Sequence, residues 1–122
     1  MIGLLQRVMR TVRGAEPPID YEESKRLAAS KEAAERHVVA RHSEARPEVL
    51  YYLAADSDPH VRAAVAANES TPVQADLILA RDRDDRVRVD LAHKIARLTP
   101  GLTNSEAEVD RAVEAVRAIA AI

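Results

Sequence analysis

The 122-residue chain has no cysteine, phenylalanine or tryptophan, and it has only three tyrosines and three glycines. Without cysteine, neither a disulfide bond nor a thiolate metal site can form. Three isolated glycines cannot build a glycine-rich phosphate-binding loop. Because aromatic side chains are so few, alanine, valine and leucine must fill any core, which suits short and closely spaced helices. These absences exclude several classes of enzyme.

An excess of one charge and a long apolar run are also missing. The formal net charge is −2 at pH 7, so the chain as a whole has no general attraction for nucleic acid or anionic membranes. No apolar run approaches the roughly 20 residues of a membrane-spanning helix. Arginines interrupt the N-terminus, which therefore lacks the apolar core of a signal peptide. We expect a cytoplasmic protein of one domain.

What the sequence does contain is an internal repeat. The residues from Leu53 to Asp56 reappear as Leu79 to Asp82, a shift of 26 residues. A fixed period of this length is typical of a stacked helical solenoid, in which a single unit cannot bury its apolar face alone. The sequence therefore predicts an all-α fold, an α-solenoid of short helix–turn–helix repeats with terminal capping helices.

Each repeat is predicted to hold two helices. Asp58-Pro59 starts the first, with Asp as the N-cap and Pro at the first helical position. Asn68 ends it, since asparagine tolerates the left-handed conformation. Thr71-Pro72 repeats the cap-plus-proline pattern and opens the second helix. In the preceding repeat, Ser30 is the expected first cap and Pro47 opens the second helix.

The helical period also predicts the core. Apolar residues at i, i+3 and i+4 mark one buried stripe on each helix. On the second helices this stripe is read as Val49, Tyr52 and Leu53, and again as Ala75, Ile78 and Leu79. The predicted core is Leu27, Val39, Val49, Leu53, Val61, Val65, Ile78, Leu79, Val87, Leu91 and Ile95.

Helix breakers divide the chain into three segments: residues 1–18 are an N-terminal arm and linker, residues 19–103 are the repeat domain, and residues 104–122 are a C-terminal capping helix. Residues 1–13 are amphipathic and basic, so they can cap the solenoid, contact a membrane or dock into a partner. Asp20 and Glu23 have the spacing of a capping box. The last helix ends on an apolar run, which predicts a homodimer contact or a chain cut short.

Several blocks resemble a bacterial family known as domain of unknown function 2336: residues 21–28, 47–54, 71–77 and 94–98. The resemblance covers residues 20–104, and members of the family are generally longer, which implies a short paralogue or a fragment. More loosely, the Asp-x-Asp-x-x-Val-Arg pattern at residues 56–62 and 82–88 is similar to HEAT-like and leucine-rich-repeat-variant helical repeats. Those families mostly bind other proteins. The resemblance implies an α-solenoid and supplies no catalytic residue.

The sequence has few residue patterns that are typical of catalysis or metal binding. The four histidines are His37, His42, His60 and His93, and none of them belongs to a His-Glu-x-x-His zinc pattern. His42 and Glu44 share a predicted loop that offers no oxyanion donor. We expect a non-enzymatic protein with no catalytic, metal-binding or cofactor-binding residues and no cofactor.

Arginine recurs at one repeat position, as Arg36, Arg62 and Arg88. In a stacked solenoid these arginines would align beside Asp56 and Asp82. We therefore predict a structural ladder of Arg–carboxylate bonds between repeats. The alternative is an anion-binding row.

The predicted partner-binding residues are Tyr51, Tyr52 and Leu77. Tyr51 and Leu77 are one repeat apart and point away from the predicted core stripe. Solenoids use such rows in extended binding surfaces. We expect a non-catalytic protein–protein interaction module, such as an adaptor in bacterial regulation. The alternative is a helical repeat protein that binds nucleic acid through a basic concave face.

Overall fold

The structure is a computed structural model that describes residues 18–99 and 106–121, with side chains described for residues 110–118 of the last helix. The described residues form seven helices and no strand, which confirms the all-α class. The helices are α1 (Tyr21–Ala28), α2 (Ala33–Ala40), α3 (Pro47–Leu53), α4 (Pro59–Ala67), α5 (Val73–Leu79), α6 (Asp85–Leu98) and α7 (Glu106–Ala121).

The first six helices form two series. Helices α1, α3 and α5 begin at residues 21, 47 and 73, so their starts are 26 residues apart. Helices α2, α4 and α6 begin at residues 33, 59 and 85, with the same spacing. We call the first series the A helices and the second series the B helices. An A helix and the B helix that follows it form one unit.

The core lies between the two series. Helix α4 packs on both α2 and α6, α3 contacts both α1 and α5, and α7 covers α6 with its buried residues Ala112 and Val116. Nine predicted core residues are buried: Leu27, Val39, Val49, Leu53, Val61, Val65, Leu79, Val87 and Leu91. Ile95 is half-buried and packs against them. Small and branched aliphatic side chains therefore fill this core, as the scarcity of aromatic residues requires.

Aspartate caps fix several helix starts. The carboxylate of Asp20 accepts a hydrogen bond of 2.7 Å from the amide of Glu23, and Asp58 accepts one of 2.7 Å from the amide of His60. Asp84 caps α6 in the same way. Each bond satisfies an amide that the first helical turn leaves without a backbone partner. The predicted starts at Asp20, at Asp58-Pro59 and at Pro47 are confirmed.

Two predicted caps are wrong. Helix α2 begins at Ala33 with Glu32 as its N-cap, and Ser30 instead accepts the amide of Glu32 at 3.1 Å. Helix α5 begins at Val73 with Pro72 as its N-cap. This helix has no side-chain cap, and the Thr71 hydroxyl donates to the carbonyl of Val65 at 2.8 Å. It thereby satisfies the end of α4 instead of the start of α5.

Asn68 ends α4 as predicted, but the conformational reason was wrong. Its φ of −78° and ψ of 123° are extended and not left-handed. Its side-chain amide donates to the carbonyl oxygens of Ala40 and His42, each at 2.9 Å. Asn68 is therefore held in place by contacts with the preceding unit.

The predicted stripe on the A helices is correct at Val49, Leu53, Ala75 and Leu79 and wrong at its middle position. Helix α3 buries Val49, Leu50, Leu53 and Ala54, so its buried side is centred near Leu50. Tyr52, read as part of the core stripe, is 63% exposed. Ile78, one unit later, was assigned to the core and is 46% exposed. Helix α3 contacts α1, α2, α4 and α5, and these contacts cover the flank that carries Leu50 and leave the flank that carries Tyr52 exposed.

We expect Leu79→Ala to lower the free energy of unfolding by about 2–5 kcal/mol, because it leaves a cavity at a fully buried site. Leu77→Ala, on the same short helix, removes an exposed side chain and should change this free energy by less than about 0.5 kcal/mol. Urea denaturation of both variants measures the contrast. Equal losses would show that the buried side of α5 is assigned wrongly.

Candidate functional site

The A helices turn one row of side chains outward. On α3 this row is Glu48, Tyr51, Tyr52 and Ala55, all exposed at the i, i+3, i+4 and i+7 spacing of one helix face. The exposed fraction is 49% for Tyr51 and 63% for Tyr52. Both rings therefore face solvent, although large aromatic side chains are usually mostly buried.

The next A helix repeats the arrangement. On α5 the outward row is Gln74, Leu77, Ile78 and Arg81. Leu77 is 49% exposed and Ile78 is 46% exposed, so both face solvent like the tyrosines one unit earlier. We call the set Tyr51, Tyr52, Leu77 and Ile78 the apolar face. Val73, one turn before Leu77, is also exposed and extends this face toward the start of α5.

Charged residues bound the apolar face on the side of α1. The outward positions of α1 that correspond to Tyr51 and Tyr52 hold Lys25 and Arg26. Lys25 Nζ lies 2.9 Å from a Glu22 carboxylate oxygen, and Arg26 lies 3.7 Å from Glu23. The same position in the unit is therefore charged on α1 and apolar on α3 and α5. An exposed apolar patch with a polar rim is typical of an interaction site.

A polar rim also lies at both ends of the apolar face. Glu48 and Gln74 precede it on α3 and α5, and Arg81 follows it, two residues after the end of α5. Arg81 has no ion-pair partner within residues 18–99 and 110–118. The face can therefore offer apolar contact in its middle and a free cation at one end.

Behind the A helices, arginine and aspartate side chains join successive units. Arg62 Nε lies 2.7 Å and Nη2 lies 3.2 Å from the two carboxylate oxygens of Asp82, while Nη1 donates to the carbonyl of Asp56 at 2.7 Å. One unit earlier, Arg36 makes the same bidentate contact with Asp56, at 2.8 and 3.2 Å. Its Nη1 donates to the carbonyl of Ser30 at 2.9 Å. We call these paired contacts the arginine ladder.

The bond to the Asp82 carboxylate raises the pKa of the Arg62 guanidinium above its ordinary value, despite the opposing effect of burial. Arg88, the third member, donates to the carbonyl of Asp82 at 2.8 Å and pairs with Asp85 of its own helix. Its contacts therefore do not extend to a carboxylate of a later unit within residues 18–99 and 110–118. The sequence pattern placed all three arginines at one position, and the structure brings two of them to the aspartate of the next unit.

Open clefts accompany the ladder. One of about 460 Å³ includes Arg36 and Asp56 in its lining, and one of about 370 Å³ includes Arg62 and Asp82. The guanidinium groups of Arg36 and Arg62 already direct their donors at carboxylate and carbonyl oxygens. An added anion would have to compete with these bidentate partners. The geometry therefore favours the structural interpretation of the ladder over an anion-binding row.

A second polar line, which the sequence reasoning missed, runs from the residues that follow α2 and α4 to a lysine within α6. His42, Asn68 and Lys94 are 26 residues apart, and all three are buried. Asn68 donates to the carbonyl of His42, and Lys94 Nζ donates to the carbonyl of Asn68 at 3.2 Å. We call this line the polar column. The signal was available in the sequence, because one repeat position holds a polar residue in all three units.

The polar column ends in a buried ion pair. Lys94 is only 2% exposed, and its Nζ lies 2.6 Å from a carboxylate oxygen of Asp76. The Asp76 side chain keeps 24% of its surface exposed. Burial raises the pKa of the Asp76 carboxyl, and the bond from Lys94 offsets only part of that rise. Residue 50, one unit before Asp76, is a fully buried leucine, so the same position packs well without any charge.

Several other expectations concern metals, membranes and the ends of the chain. Among the described residues there is no group of three or more histidine, aspartate or glutamate side chains placed to hold a metal ion. None of the helices in that part of the chain is both long and apolar enough to cross a membrane. The N-terminal arm at residues 1–13 and the apolar end at residues 119–122 lie outside the described side chains.

Comparison of the chain with protein-family models, with curated proteins and with solved structures found no match. The resemblance to the family of unknown function stays a prediction from the sequence blocks.

We expect Arg62→Ala to lower the free energy of unfolding by about 3–5 kcal/mol, because it leaves the buried Asp82 carboxylate without its bidentate partner. The matched control is Arg83→Ala, an exposed arginine one residue beyond the same aspartate, which should cost less than about 0.5 kcal/mol. Urea denaturation checks both. If Arg62→Ala unfolded like the parent but lost affinity for inorganic phosphate, the anion-binding alternative would be correct.

The ion pair of the polar column should respond asymmetrically to substitution. Asp76→Ala leaves a buried ammonium without its carboxylate and should cost about 3–5 kcal/mol. Lys94→Met should cost less, because Asp76 can still reach water through its exposed part. The double variant Asp76→Leu with Lys94→Met copies the apolar residue found at position 50 and should recover most of the loss. Thermal and urea unfolding of the three variants test this order, and equal losses for the two single variants would contradict it.

Proposed function

We propose that this chain is a non-catalytic protein–protein interaction module, built as an α-solenoid with a 26-residue period, and that it binds its partner through the apolar face. The single observation that carries the proposal is the position of Tyr51, Tyr52, Leu77 and Ile78. They form a pair on each of two neighbouring A helices and face solvent together. The equivalent pair on α1 is charged.

Repeated contacts support the solenoid. Arg36 and Asp56 are joined in the same way as Arg62 and Asp82, one period later. Helix starts recur at the same spacing in both series. A stack of this kind places equivalent side chains of successive units next to one another, which is how repeat proteins form extended binding surfaces.

The size of the apolar face supports a contact with a small part of a partner protein. Its four side chains and Val73 expose roughly 400–700 Å² of mostly apolar surface, taking 150–250 Å² for a whole large side chain. That area is larger than a single exposed apolar residue contributes. It is smaller than the ~800 Å² that each partner buries in a standard interface. A short segment of a partner protein matches it better than a second copy of this chain docked through this face.

Side-chain chemistry supports a protein partner as well. Tyrosine supplies a large contact area at a low cost in conformational entropy and is enriched where binding energy concentrates. Nucleic-acid binding has less support, because Arg36, Arg62 and Arg88 of the described residues are each paired with a carboxylate. A cytoplasmic location, a role as an adaptor in bacterial regulation and kinship with domain of unknown function 2336 belong to the same proposal.

We expect Tyr51→Ala and Leu77→Ala each to reduce capture of the partner from a lysate of the source cell at least tenfold, while the melting temperature stays within about 2 °C of the parent because both sites are exposed. The control is Val38→Ala, which removes a comparably exposed apolar side chain from a B helix. It should leave capture unchanged. Mass spectrometry of the bound proteins gives the readout.

Three outcomes would contradict the proposed surface. The first is a lower melting temperature for Tyr51→Ala and Leu77→Ala without loss of partner capture, which would show that the apolar face serves packing within the fold. The second is loss of the partner when residues 1–18 are removed while Tyr51→Ala keeps it, which would move the site to the N-terminal arm. The third is a shift of duplex DNA in a gel that weakens steeply with salt, which would favour the nucleic-acid alternative.

A further inference from the structure

A cleft opens between α1 and α3, directly beside the apolar face. It has a volume of about 260 Å³ and runs along α1 from its first residue to its end, facing the first two turns of α3. The residues that line it are Tyr21, Lys25, Ala28, Ala29, Glu48, Val49 and Tyr52. Apart from Lys25 and Glu48 at the rim, these side chains offer aromatic rings and small aliphatic groups.

Tyr21 forms a fixed wall of this cleft. Lys25 Nζ lies 4.5 Å from the centroid of its ring, and the guanidinium carbon of Arg46 lies 4.4 Å from the same centroid. Cations at these distances are attracted to the ring of tyrosine. Lys25 is in turn held by Glu22 at 2.9 Å. The ring is therefore held in position in the absence of any ligand.

Tyr52 connects the cleft with the apolar face. It is the most exposed residue of that face and also lines the cleft. A partner segment lying over Tyr51 and Tyr52 would pass the mouth of the cleft at Tyr52 and Ala29. Interfaces of this kind gain most of their affinity from a few large side chains that fill pockets near their centre.

We infer that the cleft between α1 and α3 is the anchor pocket for one aromatic side chain of the partner protein, an assignment that rests on the proposed function. The volume is smaller than the roughly 300–1,000 Å³ of typical small-molecule sites, so it suits a single side chain. Two tyrosine rings in the lining favour an aromatic occupant, because aromatic pairs attract beyond their burial of area.

The two clefts along the arginine ladder suit such an occupant poorly. They are larger, about 370 and 460 Å³, and include Arg36, Arg62, Asp56 and Asp82 in their lining. An aromatic ring in either of them would cover charged groups without offering them a hydrogen bond. The cleft beside the apolar face is therefore the one we assign.

Titration of the full chain with indole, followed by amide ¹H–¹⁵N NMR, tests the pocket without knowledge of the partner. We expect saturable shifts confined to α1 and the facing side of α3, with a dissociation constant on the order of 1 mM. Ala29→Leu places a larger side chain at the mouth of the cleft and should weaken indole binding at least tenfold. Ala34→Leu, at an exposed alanine on α2 that does not line the cleft, should leave it unchanged.

The capture experiment separates this inference from the proposed function. Ala29→Leu should reduce capture of the partner at least tenfold, and Ala34→Leu should not. Absence of saturable indole binding would overturn the anchor pocket, and so would full capture by Ala29→Leu while Tyr51→Ala loses the partner. In that last case the proposed function would stand. If indole saturates the cleft but Tyr51→Ala and Leu77→Ala capture as well as the parent, the proposed function is what fails.

Discussion

The bidentate bond between an arginine of one unit and an aspartate of the next is the interaction on which the arrangement of the A helices depends. Helices of seven to nine residues, such as α1 to α5, are too short to be stable alone. Alanine and valine fill much of the core and give little directional preference. Arg62 supplies that direction, because its planar guanidinium must reach the Asp56 carbonyl and both Asp82 oxygens together. Successive units are thereby held in one relative orientation.

The polar column performs the corresponding task between the B helices. Asn68 satisfies two carbonyl oxygens of the unit before it, and Lys94 satisfies the carbonyl of Asn68. With the arginine ladder and the polar column both tying neighbouring units together, the spacing of the units is set by hydrogen bonds as well as by apolar packing. The outward side chains of the A helices are then not needed to hold the units together.

Much of the fold follows from the sequence because its signals are local or periodic. Asp58-Pro59 marks a helix start by capping chemistry alone, and the shift of 26 residues aligns Arg36 with Arg62. Ile78 was misplaced because a seven-residue helix makes about two turns, so its apolar residues fit two neighbouring stripes equally well. The burial of Lys94 was not predictable from its own segment, since a lysine near the end of a helix ordinarily lies in solvent. Its carboxylate partner, Asp76, is 18 residues away, on another helix.

The outward positions of the A helices hold charged residues on one helix and apolar residues on the other two. Helix α1 carries Lys25 and Arg26 at the positions where α3 carries Tyr51 and Tyr52 and α5 carries Leu77 and Ile78. The three helices pack against their own B helices and against one another through the opposite side, whether the outward pair is charged or apolar. Packing therefore does not require apolar residues at these positions. An exposed tyrosine or isoleucine there adds a risk of non-specific association, and a contact that uses the exposed surface is the physical reason we give for its presence.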